Sequence, residues 1–78
     1  MSKSLTLLEL QPGQRGRVQT MDLTGALRRR LRDIGLIEGA AVECVGRSPG
    51  GDPAAYLLCG AVIALRARET ETIRIIRE

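Results

Sequence analysis

Four arginines crowd into five positions, Arg28, Arg29, Arg30 and Arg32, and no other stretch of this chain concentrates charge as strongly. A guanidinium is planar, permanently charged and carries several fixed donors, so its chemistry is recognition of carboxylates and phosphates. Two readings of the run stand side by side. One is a solvated helix face laced with local ion pairs such as Arg29 to Asp33, spaced i to i+4. The other is a docking face for an acidic partner, carried by Arg28, Arg29 and Arg32.

The remaining reactive side chains point to no further chemistry. The sequence contains no histidine. Cys44 and Cys59 are far apart and form no Cys-x-x-Cys ligand pair. A metal ion would then need a carboxylate cluster; Asp52, Glu69 and Glu71 are the available acids, and nothing in their spacing gathers them. They read as solvated turn residues. No serine, cysteine or paired carboxylate stands in a nucleophile or acid–base context. The sequence therefore leads us to expect a non-enzyme with no catalytic residue, no metal site and no cofactor. The two cysteines read as small buried hydrophobes on strands. We expect them reduced and on opposite faces of a hairpin, because a disulfide needs Cα atoms within about 7 Å and converging Cβ atoms. The segment Pro49-Gly50-Gly51-Asp52-Pro53 has two glycines but lacks a phosphate-binding pattern, and it reads as a hairpin turn.

These residues must be positioned by short elements. Leu27, Leu31 and Ile34 recur at helical spacing and predict a helix over Gly25 to Ile34, N-capped by Thr24 and ended by a left-handed Gly35. Leu36 and Ile37 should then fold back over the last turn, and Gly39 should mark another bend. A helix so short needs a surface to lie on, so this one should plug a small sheet. Before it, Thr6 and Glu9 suit a capping box around one helical turn anchored by Leu7, Leu8 and Leu10. A turn at residues 11–14 precedes a first strand over Arg15 to Met21. There Gly16, Val18 and Thr20 share one face, and Met21 breaks the alternation, so the strand should bulge or end there. A second strand, Ala41 to Arg47, turns Val42 and Cys44 inward. Further strands follow over Ala54 to Cys59, from Val62 to Leu65 beyond a corner at Gly60, and over Thr72 to Ile76 with Ile73 and Ile75 on one face. Ala67 to Glu71 allows one tight helical turn. Five strands and an inserted helix indicate a mainly β fold, a small and partly open barrel formed as a single domain over residues 1–78.

Composition sets limits on function. Seventy-eight residues with one tyrosine and no Trp or Phe make a thin aliphatic core. A deep substrate pocket does not fit such a chain. The formal charge of +3 permits anionic partners without demanding them. No apolar run approaches the roughly 18 residues of a membrane span, and the start from Met1 to Leu10 does not suit a signal peptide. The cytoplasm is the expected location. A nucleic-acid role is the rival class, opposed by the missing aromatic stacking platform.

Taken together, several short motifs resemble the FeoA domain, the family of ferrous iron transport protein A. They are Leu7-x-x-Leu10-x-x-Gly13-x-x-Gly16-x-Val18, then Arg30-Leu31-x-x-Ile34-Gly35-Leu36, then Gly39-x-x-Val42-x-Cys44. The Pro49 to Pro53 loop, Gly60, Ile63-Ala64-Leu65-Arg66-x-x-Glu69 and Ile73-x-Ile75 complete the series. Glu38 and Thr70 depart from the family's usual proline and alanine, and both fall at expected exposed turn positions. The resemblance implies an SH3-like barrel and a cytoplasmic accessory protein of bacterial ferrous iron uptake. Its implied partner is a membrane ferrous iron transporter carrying a GTP-binding domain (FeoB-like), with self-association as a further option. A stand-alone relative of the SH3-like domain of iron-dependent repressors is an alternative, opposed by the lack of a helix-turn-helix segment. SH3-like barrels bind through the loops at one sheet edge, often with aromatics. The expected docking surfaces are thus the arginine helix face and the loop residues Pro49, Gly50, Gly51 and Asp52 with Tyr56.

Overall fold

A computed structural model describes residues 3–78; Met1 and Ser2, which open the stretch read as lacking a signal peptide, lie outside it. The chain runs as β1 (Lys3–Thr6), a 3-10 turn (Leu7–Glu9), β2 (Arg15–Met21), α1 (Gly25–Asp33), β3 (Ala41–Arg47), β4 (Ala54–Leu58), β5 (Ala61–Leu65), α2 (Ala67–Thr70) and β6 (Ile73–Arg77). The strands form one antiparallel sheet in the order β1-β6-β2-β3-β4-β5. It has six strands where the sequence suggested five. The additional one, β1, is a four-residue edge strand whose pattern is too short to show alternation, and it exists through its pairing with β6 from Lys3↔Arg77 to Thr6↔Arg74.

The curled sheet closes around an aliphatic core. Leu7, Leu10, Leu31, Leu36, Tyr56, Ile73 and Ile75 are all fully buried, with Val18, Val42, Cys44, Leu58 and Leu65 packed among them. The 3-10 turn forms where expected: the Glu9 carboxylate accepts from the Thr6 backbone N–H at 2.9 Å and from its hydroxyl at 3.1 Å. Leu7 and Leu10 are thereby directed inward, whereas Leu8 is only half-buried. Arg47 draws the same turn onto the sheet, its Nη2 donating to the Leu8 and Leu10 carbonyls at 2.6 and 2.8 Å.

In β2 the alternation breaks ahead of Met21 through a bulge, one of the two outcomes expected there, and Thr20 leaves the face of Gly16 and Val18. The strand's register against β6 shifts between Val18 and Thr20, which rotates Thr20 to solvent and carries Met21 into the core. The start of that strand shows why Gly16 is glycine. A Cβ there would meet the Ile76 carbonyl oxygen at 2.8 Å and Ile75 Cδ1 at 2.9 Å, so β6 approaches β2 closely only because the side chain is missing. The corner at Gly60 is a two-residue turn between paired Leu58 and Ala61, in which Cys59 and Gly60 both take positive φ.

Candidate docking site

Helix α1 is fastened at its C-terminal end. Leu31 is the helix's one fully buried residue, while Leu27 packs against the core from a half-buried position. Beyond Asp33 the backbone closes a Schellman motif. Gly35, at φ +98°, donates to the Arg32 carbonyl at 3.0 Å, and Leu36 donates to that of Leu31 at 2.9 Å. This sends Leu36, rather than Ile34, into the core beneath the helix. Ile34 remains 39% exposed and Ile37 46%. The stripe expected to run through Ile34 therefore ends at Leu31, with Leu36 as its last anchor. Thr24 occupies the N-cap position in extended backbone, but its side chain makes no capping hydrogen bond.

The arginines separate into two kinds. Arg28 donates from Nη1 to the Met21 carbonyl at 2.9 Å and to that of Leu23 at 3.4 Å, tying the helix to the end of β2. Arg30 pairs through Nη2 with Glu69 Oε2 at 2.9 Å. Arg29 and Arg32 form no hydrogen bond or ion pair among the described residues, so the Arg29–Asp33 pair of the solvated-face reading does not form. Glu69 is no solvated turn residue. It is 7% exposed, and its second oxygen accepts the Arg66 backbone N–H at 3.0 Å, which makes it the joint between α1 and α2. Thr70, expected at an exposed turn, is 1% exposed inside α2, with its hydroxyl donating to the Ala67 carbonyl at 3.3 Å.

Two concavities flank the unpaired arginines. The larger, about 310 Å³, is lined by Met21 from the end of β2, Arg28 and Arg32 from α1, and Leu36, Ile37 and Glu38 from the segment that follows. The smaller, about 200 Å³, lies among Gly25, Arg28, Arg29 and Arg32. One helix face thus presents an apolar groove beside a basic cleft, with Arg28 and Arg32 common to both. The arginines are plain in the sequence; the groove is not, because Met21 and Leu36 arrive from a bulge and from a C-cap.

The second expected surface is largely committed to holding the fold. Asp52 Oδ1 accepts the Ala67 backbone N–H at 2.9 Å, capping the start of α2 across fifteen residues of chain. Tyr56 is fully buried, with its hydroxyl 3.4 Å from the Leu7 carbonyl oxygen, so it cannot touch a partner. Burial raises its phenol pKa above the ordinary value, the neighbouring Cys44 adds to the rise, and Arg47 opposes it. Pro49 and Gly50 stay exposed at the loop tip. Gly51 sits at φ +87° and donates to the Ser48 carbonyl at 2.7 Å, which shapes the turn.

Among the described residues no three His, Cys, Asp or Glu side chains come close enough together to hold a metal ion. Both cysteines are free thiols. Cys44 is buried on β3 opposite Tyr56, as expected of a small hydrophobe. Cys59 differs from the expectation: it is exposed in the β4–β5 turn, with its Sγ against Gly35, where an added Cβ would meet it at 2.7 Å. No described helix is long and apolar enough to cross a membrane.

Comparison with known proteins agrees with this architecture. The family model for the FeoA domain matches residues 5–77. Iron(II) transport protein A from Clostridium thermocellum is 30% identical with a TM-score of 0.90, over 94% of this chain and 45% of that one. The chain therefore spans about half the length of that relative. FeoA from Chlorobium tepidum is 34% identical with a TM-score of 0.88, over 94% of this chain and 70% of that one. FeoA from Stenotrophomonas maltophilia, complexed with zinc and described as a prokaryotic SH3 domain protein, is 32% identical with a TM-score of 0.79, over 91% and 88%. No curated protein matches the sequence. The fold is SH3-like, and with nearly its whole length matched the chain belongs to the FeoA domain family.

Proposed function

We propose that this protein is a cytoplasmic accessory factor of ferrous iron uptake that docks onto a membrane ferrous iron transporter with a GTP-binding domain and modulates its rate. Iron is the transporter's cargo in this reading. The observation that carries it is the FeoA domain match over residues 5–77. The exposed arginines of α1 supply the surface: Arg29 and Arg32 have no partner among the described residues and can meet carboxylates on an acidic protein face. Pro49 and Gly50, at the exposed tip of the β3–β4 loop, form a second and smaller candidate surface.

The test compares ferrous iron uptake and transporter pull-down in cells carrying wild type, no protein, a double variant Arg29→Glu with Arg32→Glu, and Gly50→Trp. Gly50 is the better loop probe because Gly51 has positive φ and any side chain there would strain the backbone. Uptake should fall on deletion and with the arginine variant. Unchanged uptake after deletion sinks the transporter reading, whereas wild-type behaviour of both folded variants shows that docking uses another surface.

A further inference from the structure

We infer that the groove between α1 and the segment after it receives a single apolar side chain from a short acidic segment of the partner, with Arg32 and Arg29 holding that segment's carboxylates. This rests on the docking reading above and identifies the chemistry of the ligand.

Size comes first. A space of about 310 Å³ stands at the lower limit of cavities that hold small molecules, roughly 300 Å³. Its lining is mixed: Ile37 supplies the exposed apolar surface, above a floor where Met21 is nearly buried and Leu36 fully so, and the stems and heads of Arg28 and Arg32 bound it. Arginine stems extend apolar surface while their heads stay in water, so one leucine-sized side chain fits better than a polar metabolite. Ile37, at 46% exposure, is the apolar group the protein itself leaves uncovered at this site.

Charge decides what flanks that side chain. The groove and the adjoining cleft together carry Arg28, Arg29 and Arg32 against one lining acid, Glu38. Asp33 is exposed on the same helix but lines neither space. Arg28 is already bonded to the Met21 and Leu23 carbonyls, whereas the other two guanidiniums have no partner among the described residues. Glu38 sits among the residues that follow the helix and repels acid there, so the segment's carboxylates belong at the arginine end and its polar or basic end beside Glu38. Arg28 and Arg32 are one helical turn apart, and Arg29 faces the neighbouring cleft. A ligand helix with glutamates three or four residues apart around one leucine matches that spacing.

The probe is a short end-blocked peptide with one leucine and two glutamates at that spacing, labelled for anisotropy and titrated into the full-length protein at low and high salt. Backbone amide spectra run alongside. Binding should perturb the amides of Met21, Leu36 and Ile37, weaken as salt rises, and lose about tenfold or more with Arg32→Glu. Replacing the peptide leucine by alanine should cost a similar factor. Arg29→Glu, on the rim, is a second variant should Arg32→Glu disturb the fold. No peptide binding, or perturbation confined to the β5 edge, overturns the inference. So does binding to phosphatidylglycerol vesicles that leaves the three groove amides unmoved, which would make the arginines a lipid contact. Transporter pull-down separates the two levels. Peptide failure with intact pull-down removes this groove as the contact and leaves the accessory role standing. Peptide binding without pull-down or any effect on uptake keeps the groove and removes the transporter as its partner.

Discussion

Two polar regions look alike in the sequence and behave differently in the fold. The β3–β4 hairpin and its loop carry Arg47, Asp52 and Tyr56; the α1 face carries Arg28, Arg29, Arg30 and Arg32. In the hairpin each of the three is used internally. Arg47 caps carbonyls of the 3-10 turn, Asp52 caps α2, and Tyr56 fills the core. On α1 only alternate arginines are used this way, Arg28 and Arg30, and Arg29 and Arg32 are left to solvent. Charge density alone therefore does not single out the surface we propose for docking. That face is chosen because two of its charges have no partner among the described residues and lie next to a concavity that the fold does not fill.

The contrast can be broken most forcefully at the helix's anchor. Leu31→Ala should cost about 2–5 kcal/mol, enough to unfold so small a domain, because Leu31 is the one fully buried residue of α1. A denaturant-derived loss below about 0.5 kcal/mol would show that α1 is held mainly by its polar ties.

The polar ties come next. Arg30→Ala leaves the Glu69 carboxylate buried beside one backbone N–H and should cost about 1–2 kcal/mol, a modest value because Arg30 itself is open to water. Glu69→Gln should recover part of the loss in the Arg30→Ala background by removing the charge. Additive effects of the two changes, instead of this compensation, would mean that Arg30 and Glu69 do not act as a pair.

Tyr56 sharpens the comparison from the hairpin side. Its folded pKa is raised, so the folded protein keeps a proton that the unfolded chain releases above about pH 10. The stability it contributes is complete below that pH and is lost as pH climbs toward the folded value. Tyr56→Phe should flatten this alkaline decline while costing about 0.5–1.5 kcal/mol or less at neutral pH, since the hydroxyl contact is long. An alkaline limb unchanged in Tyr56→Phe would place its origin in another group.

The smallest effect on stability belongs to the outer arginines. Charge reversal at Arg29 and Arg32 should leave unfolding free energy within about 0.5 kcal/mol of wild type, even as docking weakens. A larger loss in thermal or denaturant unfolding would give these residues a structural role and erase the contrast between the two regions.

Local signals in the sequence determined a good deal. The Thr6–Glu9 capping pattern, the left-handed Gly35, the inward pair Val42 and Cys44 and the alternation of Ile73 and Ile75 all appear in the fold as read, because each depends on neighbours within one turn or strand. The arginine cluster was equally plain. Tertiary structure decided everything that depends on a distant partner. The β2 bulge buries Met21 and exposes Thr20. Leu36 displaces Ile34 as an anchor once the C-cap turns the chain back. Arg30 lies thirty-nine residues from the acid that holds it. Glu69, Asp52 and Tyr56 changed from candidate surface groups to internal ties because curling the sheet brought α2, the loop and the 3-10 turn together. Periodicity reports which way a side chain faces on its own element; only packing reports what it meets there, and that meeting separated the arginines that hold the helix from those left exposed.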